Sequence, residues 1–159
     1  MRIQKRRRRE NKTNYLKRRK MLQSKKPRIV FRKTNKYIIG QYILSENAQD
    51  KIELSANSRE LIKYGWPKEN LGSLKSIPAA YLTGFLLGTK AKGKQAGIFD
   101  CGMYSKVYKN KIFAFLKGLI DSGIEMQSKK EIFPEKEIIE GNKLKNKVNI
   151  QEIKQKISK

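Results

Sequence analysis

The first 36 residues hold seventeen Lys and Arg against a single acid, Glu10. Such a segment cannot supply much of a hydrophobic core. Like charges repel, and Ile3 is the lone apolar side chain between Met1 and Glu10. Residues 37–159 are milder, with 21 Lys/Arg and 13 acids. The chain therefore divides into a basic arm and a body. Over all 159 residues the formal net charge is +24, a self-repulsion that a polyanionic partner relieves. The length fits one domain, and 38% hydrophobic residues, below the usual 45–50% or so, support a modest core.

Several classes fall away. No run approaches the roughly 18 apolar residues of a membrane span, so no membrane partner is expected. The opening Met-Arg-Ile-Gln-Lys-Arg-Arg-Arg-Arg has no apolar stretch behind it and does not read as a secretory signal. Cys101 is the only cysteine and histidine is absent, which removes an internal disulfide, multi-cysteine zinc sites and Ser-His or Cys-His nucleophile pairs. No cofactor or metal is expected, and the chain reads as non-catalytic, in a reducing cytoplasmic compartment.

Residues 1–26 form the arm. Residues 1–9 should be disordered in isolation. Asn11 or Thr13 is placed to cap a helix running through Tyr15, Leu16 and Leu22. Lys17, Arg18, Arg19 and Lys20 follow one another inside it and cover more than half its circumference, so this helix should not pack wholly into a core.

The body, residues 27–141, begins at Pro27. Residues 28–34 and 37–44 are β-branched and aromatic-rich and read as strands around a Thr34-Asn35-Lys36 turn. Residues 50–56 alternate, with Ile52 and Leu54 expected on one face. Short links make the three an antiparallel meander. Asn57 and Glu60 have capping-box spacing for a short helix, and residues 68–75 read as a loop. A longer helix starts near Ser76, with Pro78 in its first turn and Ala79, Leu82, Phe85 and Leu86 at the 3.6-residue period. Gly84 and Gly88, four apart, would allow close approach to a sheet. The strand 96–100 then returns parallel through a crossover. A helix follows with Ile112, Phe113, Leu116, Leu119 and Ile120 on one face and Gly123 as its stop. The fold class is α/β: a mixed sheet of a three-strand antiparallel meander plus a crossover parallel strand, packed helices, and ribonuclease-H-like topology. Residues 142–159 read as a Lys-rich tail with a short helix from Asn149, striped by Ile150, Ile153 and Ile157.

A nuclease of that topology needs several carboxylates converging on metal ions. Here Asp100 is the only acid at a likely sheet end, and Glu53 should face solvent. Asp100 reads as a loop-start residue bonding backbone N–H groups, and Cys101 as a small buried or loop thiol. Lys92 and Lys94 read as helix-end cations. What remains is binding. Cations interleaved with stacking residues suit RNA, whose phosphates take Lys and Arg and whose exposed bases take aromatic planes. The arm offers Lys5, Arg6, Arg7, Arg8, Arg9, Asn11, Lys12, Thr13, Tyr15, Arg18, Arg19 and Lys20. The first hairpin offers Arg28, Arg32, Lys33, Asn35, Lys36 and Tyr37, with Asn35 at its tip. The loop from Met103 to Lys111 offers Tyr104, Lys106, Tyr108, Lys109 and Lys111.

Further stretches give these residues a family likeness. Arg6-Arg-Arg-Arg-Glu-Asn-Lys-Thr-Asn-Tyr15 and Lys26-Pro-Arg-Ile-Val-Phe-Arg-Lys-Thr-Asn-Lys36 are followed in order by Ser55-Ala-Asn-Ser-Arg-Glu-Leu-Ile-Lys-Tyr-Gly-Trp66. Pro78-Ala-Ala-Tyr-Leu-Thr-Gly84, Asp100 with Gly102, Phe113-Ala-Phe-Leu-Lys-Gly118, Asp121-Ser-Gly123 and Phe133-Pro-Glu135 come next. Over residues 5–141 the chain resembles the universal large-subunit ribosomal protein eighteen family, in its archaeal and eukaryotic branch. The resemblance implies a component of the large ribosomal subunit that binds 5S ribosomal RNA in the central protuberance. It would tie that RNA to the large-subunit ribosomal RNA, beside neighbours such as large-subunit protein five. It also implies a ribonuclease-H-like sheet without catalysis, an arm threaded against RNA, and RNA contact at Ser58 and Arg59. Met103-Tyr104-Ser105 departs from the family, whose members often carry Arg in that loop, leaving Lys106 or Lys109 to supply the cation. The alternatives are an RNA-processing nuclease, which would need further carboxylates, and a DNA-architectural protein, which would bind duplex DNA as tightly as folded RNA.

Overall fold

The computed structural model describes residues 3–47, 49–105, 107–126, 128–141 and 148–158. Its sheet has the order β3-β2-β1-β4. Strands β1 (Arg28–Lys33), β2 (Ile38–Glu46) and β3 (Gln49–Asn57) form the antiparallel meander, and β4 (Ile98–Asp100) lies parallel to β1. This is the mixed sheet that the strand signals and the crossover order predict.

Register sets the two faces. Ile29 and Phe31 of β1 pair with Tyr42 and Gly40 of β2 and face the helices; Arg28 and Val30 pair with Ile43 and Gln41 and face the other way. The expectation for β3 fails at one point. A bulge shifts the pairing so that Leu54 opposes Tyr42 while Ile52 opposes Ile43, on opposite faces. Leu54 packs against the core and Ile52 is left exposed.

The capping box is present, with Asn57 accepting from the Arg59 N–H and Glu60 accepting from the Asn57 N–H, but the turn it starts, Ser58–Tyr64, is 3₁₀. The stretch expected to be a loop contains a second 3₁₀ turn, Lys68–Ser73. Helix α3 (Ile77–Lys90), capped by Ser76, is buried from Pro78 through Gly88. It packs on β2 and β3 and against helix α4 (Lys111–Asp121), which ends before Gly123 at φ 103°.

Gly84 and Gly88 serve a helix rather than the sheet. A β-carbon on Gly84 would run into the Phe115 carbonyl oxygen, and one on Gly118 of α4 into that of Tyr81; Gly88 makes room for the Ser122 side chain. The two backbones thus approach at reciprocal glycines. The closeness brings Phe115 over Gly40 of the sheet, edge-on to Phe31 at 5.3 Å and stacked with Phe99 at 6.2 Å.

After the one-turn helix α5 (Lys136–Ile139), the C-terminal helix α6 (Ile150–Ser158) is also part of this core. Its stripe Ile150, Ile153 and Ile157 is buried, with Val148, against α3 and the first 3₁₀ turn. The helix and its isoleucine stripe are as the sequence predicts, but its seat on the body comes from tertiary packing and not from any local signal; residues 142–147 lie outside the described residues. Among the described residues no helix is long and apolar enough to cross a membrane.

The helix crossing predicts a sharp asymmetry between glycines. Gly84→Ala should lower the free energy of unfolding by about 2–3 kcal/mol, because a carbonyl oxygen of a buried helix must move. Gly72→Ala, with nothing within 4 Å of its β-carbon, should change it by less than about 0.5 kcal/mol. Urea unfolding followed by circular dichroism compares them; equal stabilities would contradict the close crossing.

Candidate nucleic-acid interface

The face of the sheet away from α3 and α4 is covered by the arm. Lys5 precedes a one-turn helix α1 (Arg6–Arg9), and helix α2 (Tyr15–Gln23) follows. The cap of α2 is Asn14, whose side chain accepts from the Lys17 N–H, and not Asn11 or Thr13. Asn11 instead turns the chain at φ 51°, and Thr13 accepts from the Arg7 guanidinium at 3.0 Å. No residue of α2 is buried, as its ring of charge requires.

What holds α2 against the sheet is a network of charge. Arg28, the first residue of β1, is 3% exposed. Its guanidinium donates to Asp50 at 2.6 Å, Ser45 at 3.2 Å and Asp100 at 3.4 Å. Arg18 of α2 reaches the same Asp50 at 2.8 Å, and Lys17 approaches Asp100 at 3.5 Å and the Gly102 carbonyl at 3.3 Å. Asp100 also accepts from the Gly102 N–H, the loop-start bond expected of it. A buried guanidinium needs such partners, because an unpaired charge in that position would be strongly destabilising. Arg28 is therefore a structural cation and not a surface RNA contact. Its position at the start of a strand hides this; only the arm above and two acids from distant segments bury it. Asp50 was missed by the sequence reading altogether, since it sits among charged residues at the edge of β3.

Burial pushes the Asp50 carboxyl up, but hydrogen bonds from Arg18, Ser45 and Arg28 outweigh it and hold its pKa down at about 2.

Between arm and sheet runs a groove of about 630 Å³. Arg7, Lys12 and Arg32 lie along it above Val30 and Ile43. The cations around it are unequally engaged. Lys12 lies 2.8 Å from Glu10, and Arg6 is more loosely placed at 3.9 Å with its side chain 77% exposed. Arg8, Arg9, Arg19 and Lys20 are exposed, and Lys5 stands over the Tyr15 ring at 4.9 Å. At the far end of β1, Arg32, Lys33, Asn35 and Lys36 are exposed around the hairpin turn, which Thr34 closes by accepting from the Tyr37 N–H. Tyr37 itself packs against the core.

Other expected contacts distribute differently. Ser58 is fully buried, its hydroxyl accepting from the Ile38 N–H, so it supports the sheet and cannot face a ligand; Arg59 beside it is exposed. In the loop after β4, Tyr104 and Tyr108 are 40% and 69% exposed, which leaves both rings partly open to a partner. Tyr104 donates to the Lys33 carbonyl and so ties this loop to the hairpin. Lys109 pairs with Glu135 at 2.9 Å, and Lys111 begins α4 half-buried. Lys106 lies outside the described residues. Lys94, just past the end of α3, pairs with Glu53 at 2.6 Å. Cys101 is a buried thiol.

The comparisons with known proteins bear on this arrangement. The family model described as ribosomal large subunit proteins 60S L5 and 50S L18 matches residues 1–98, from the arm through the start of β4. The large ribosomal subunit protein uL18 of Korarchaeum cryptofilum is 44% identical over 138 residues, covering 86% of this chain and 69% of that protein. The chain belongs to the uL18 family of large-ribosomal-subunit proteins. Family membership accounts for the charge: a ribosomal protein of this family works in the translating ribosome, a particle built around RNA. The region matched by the family model includes Lys17, Arg18, Arg28 and Asp50, four of the charged groups that latch α2 to the sheet.

The latch has a pH signature. The folded pKa of Asp50 lies below its unfolded value of about 3.9, so its stabilisation is complete above about pH 5 and is lost as pH falls toward 2. The contribution is at most about 2.6 kcal/mol. A carbon-detected NMR titration should place the Asp50 carboxyl midpoint near pH 2, moving upward in Arg18→Ala. A midpoint near 4 in the wild type would mean that the arm is not latched.

Proposed function

We propose that this chain binds 5S ribosomal RNA and fastens it to the large-subunit ribosomal RNA in the central protuberance, beside neighbours such as large-subunit protein five, without catalysing a reaction. The observation that carries the reading is the division of labour among the charges on the arm side of the sheet. The acids of this face, Asp50 and Asp100, are engaged by Arg28, Lys17 and Arg18. The exposed cations of the arm and hairpin, Arg8, Arg9, Arg19, Lys20, Arg32, Lys33 and Lys36, have no acid within ion-pair distance among the described residues. Such a rim suits a phosphate backbone.

On this reading the arm, residues 1–26, gives affinity, and the hairpin tip with the Tyr104–Tyr108 loop recognises RNA shape. Asp100 bears on the nuclease alternative. A metal-dependent nuclease would hold this strand-end acid toward its ions, whereas here it is the anion of two internal ion pairs. Among the described residues no group of three His, Cys, Asp or Glu is placed to hold a metal.

Affinity for 5S ribosomal RNA should fall about 10³–10⁵-fold between 50 and 200 mM salt if roughly six to ten cations engage phosphates. Arg7→Ala with Arg8→Ala should reduce the log–log slope by up to about two and weaken 5S ribosomal RNA and an unrelated folded RNA alike. Filter binding across a salt series measures both. A wild-type protein that binds the unrelated RNA, or duplex DNA, as tightly as 5S ribosomal RNA would contradict the assignment.

A further inference from the structure

Beyond the arm groove lies a second hollow of about 390 Å³ at the other end of β1. Its polar lining is Lys33, Ser105, Asn110 and Lys111, and its apolar lining includes Tyr104 and Val107, which are 40% and 58% exposed. The volume lies in the range of about 300–1,000 Å³ typical of sites for small organic groups.

The charge at this place is unbalanced in a specific way. Lys111 is the first residue of α4, where the aligned peptide dipoles favour an anion, and the first turn of α4 contains no acid. Burial, then the charges of Lys33 and Lys75, depress the pKa of the Lys111 ammonium. Among the described residues none of these three lysines has a carboxylate within 4 Å. Elsewhere Lys17 pairs with Asp100, Lys90 with Glu60 and Lys94 with Glu53. Three lysines of this region, one of them half-buried at a helix start, thus have no carboxylate partner among the described residues.

We propose that this hollow binds one unpaired nucleotide of an RNA chain, its phosphate between Lys33 and Lys111 with Lys75 nearby, and its base against Tyr104 and Val107. The inference rests on the RNA-binding reading above and adds a site and a specificity to it. A bare phosphate would leave the apolar wall uncovered. A duplex keeps its base faces stacked inside and cannot enter a hollow, whereas a bulged or looped nucleotide can offer both phosphate and base face. Tyr104 is held for this role: its hydroxyl donates to the Lys33 carbonyl and its ring meets Phe31 edge-on at 6.2 Å. The Lys33 ammonium lies 6.0 Å from the same ring centre, so the cation and the aromatic wall form one unit.

The test uses the full chain and two probes, a short fluorescein-labelled oligouridylate and a fluorescein-labelled, fully paired RNA duplex, read by fluorescence anisotropy at one salt concentration. Lys33→Gln with Lys111→Gln should weaken oligouridylate binding about tenfold or more and duplex binding less than about threefold. Tyr104→Leu, which keeps all the charges, should weaken oligouridylate about tenfold and leave the duplex unchanged. Thermal unfolding of each variant verifies that it is folded. Equal losses for both probes would reduce the lysines to general phosphate attraction and overturn the nucleotide site, as would no loss for either. A wild-type chain that binds neither probe would instead remove the RNA-binding reading on which the site rests.

Discussion

The buried guanidinium of Arg28 is the interaction on which the arm side of the molecule depends. It sits under the arm helix with almost no exposure and draws together the start of β1, the start of β3 through Asp50 and the end of β4 through Asp100. Those two acids still carry unused acceptor capacity, and Lys17 and Arg18 of α2 take it up. A helix with four consecutive cations and no buried residue has little apolar surface to lay on a sheet, with Tyr15, Met21 and Leu22 only half-buried. The two aspartates tie it down. The same pairing engages the negative charge of that face, so the outward cations present an almost unopposed field to a polyanion.

This arrangement explains how a chain of such charge can fold. The hydrophobic work is done on the opposite face, where α3, buried along most of its length, and α4 pack on the sheet and on each other, with α6 packed against α3. Reciprocal glycines let α3 and α4 approach until Phe115 reaches the sheet. The core therefore needs few residues, and the arm need contribute none of them. The charged arm and the stabilising core occupy opposite sides of one sheet.

Much of this was legible in the sequence, and the exceptions have physical causes. The strands at 28–34 and 37–44, the Ser76 start of α3, the Gly123 stop and the parallel return of β4 follow from period, caps and turn chemistry, which are local. The bulge that separates Ile52 from Leu54 is a property of pairing between strands and leaves no trace in the alternation itself. Arg28 and Asp50 look like ordinary surface charges; burial comes from segments 10 to 70 residues away, and only the folded chain reveals it. Ser58 carries the small polar side chain of a ligand contact, yet its hydroxyl completes the hydrogen bonding of β2. In the C-terminal segment, three isoleucines among lysines give an amphipathic stripe whose seat against α3 is set by tertiary packing alone.

The central claim is that the arm side of the sheet is the face that meets 5S ribosomal RNA. Ultraviolet crosslinking of the intact large subunit, followed by mass spectrometry of the peptides attached to 5S ribosomal RNA, tests it most directly. The account predicts crosslinked peptides from residues 5–20 and 32–37, and from the loop around Tyr104 and Tyr108. Crosslinks to 5S ribosomal RNA confined to the opposite side, within residues 60–75 and 150–158, would contradict it, as would the absence of any 5S ribosomal RNA crosslink from this chain.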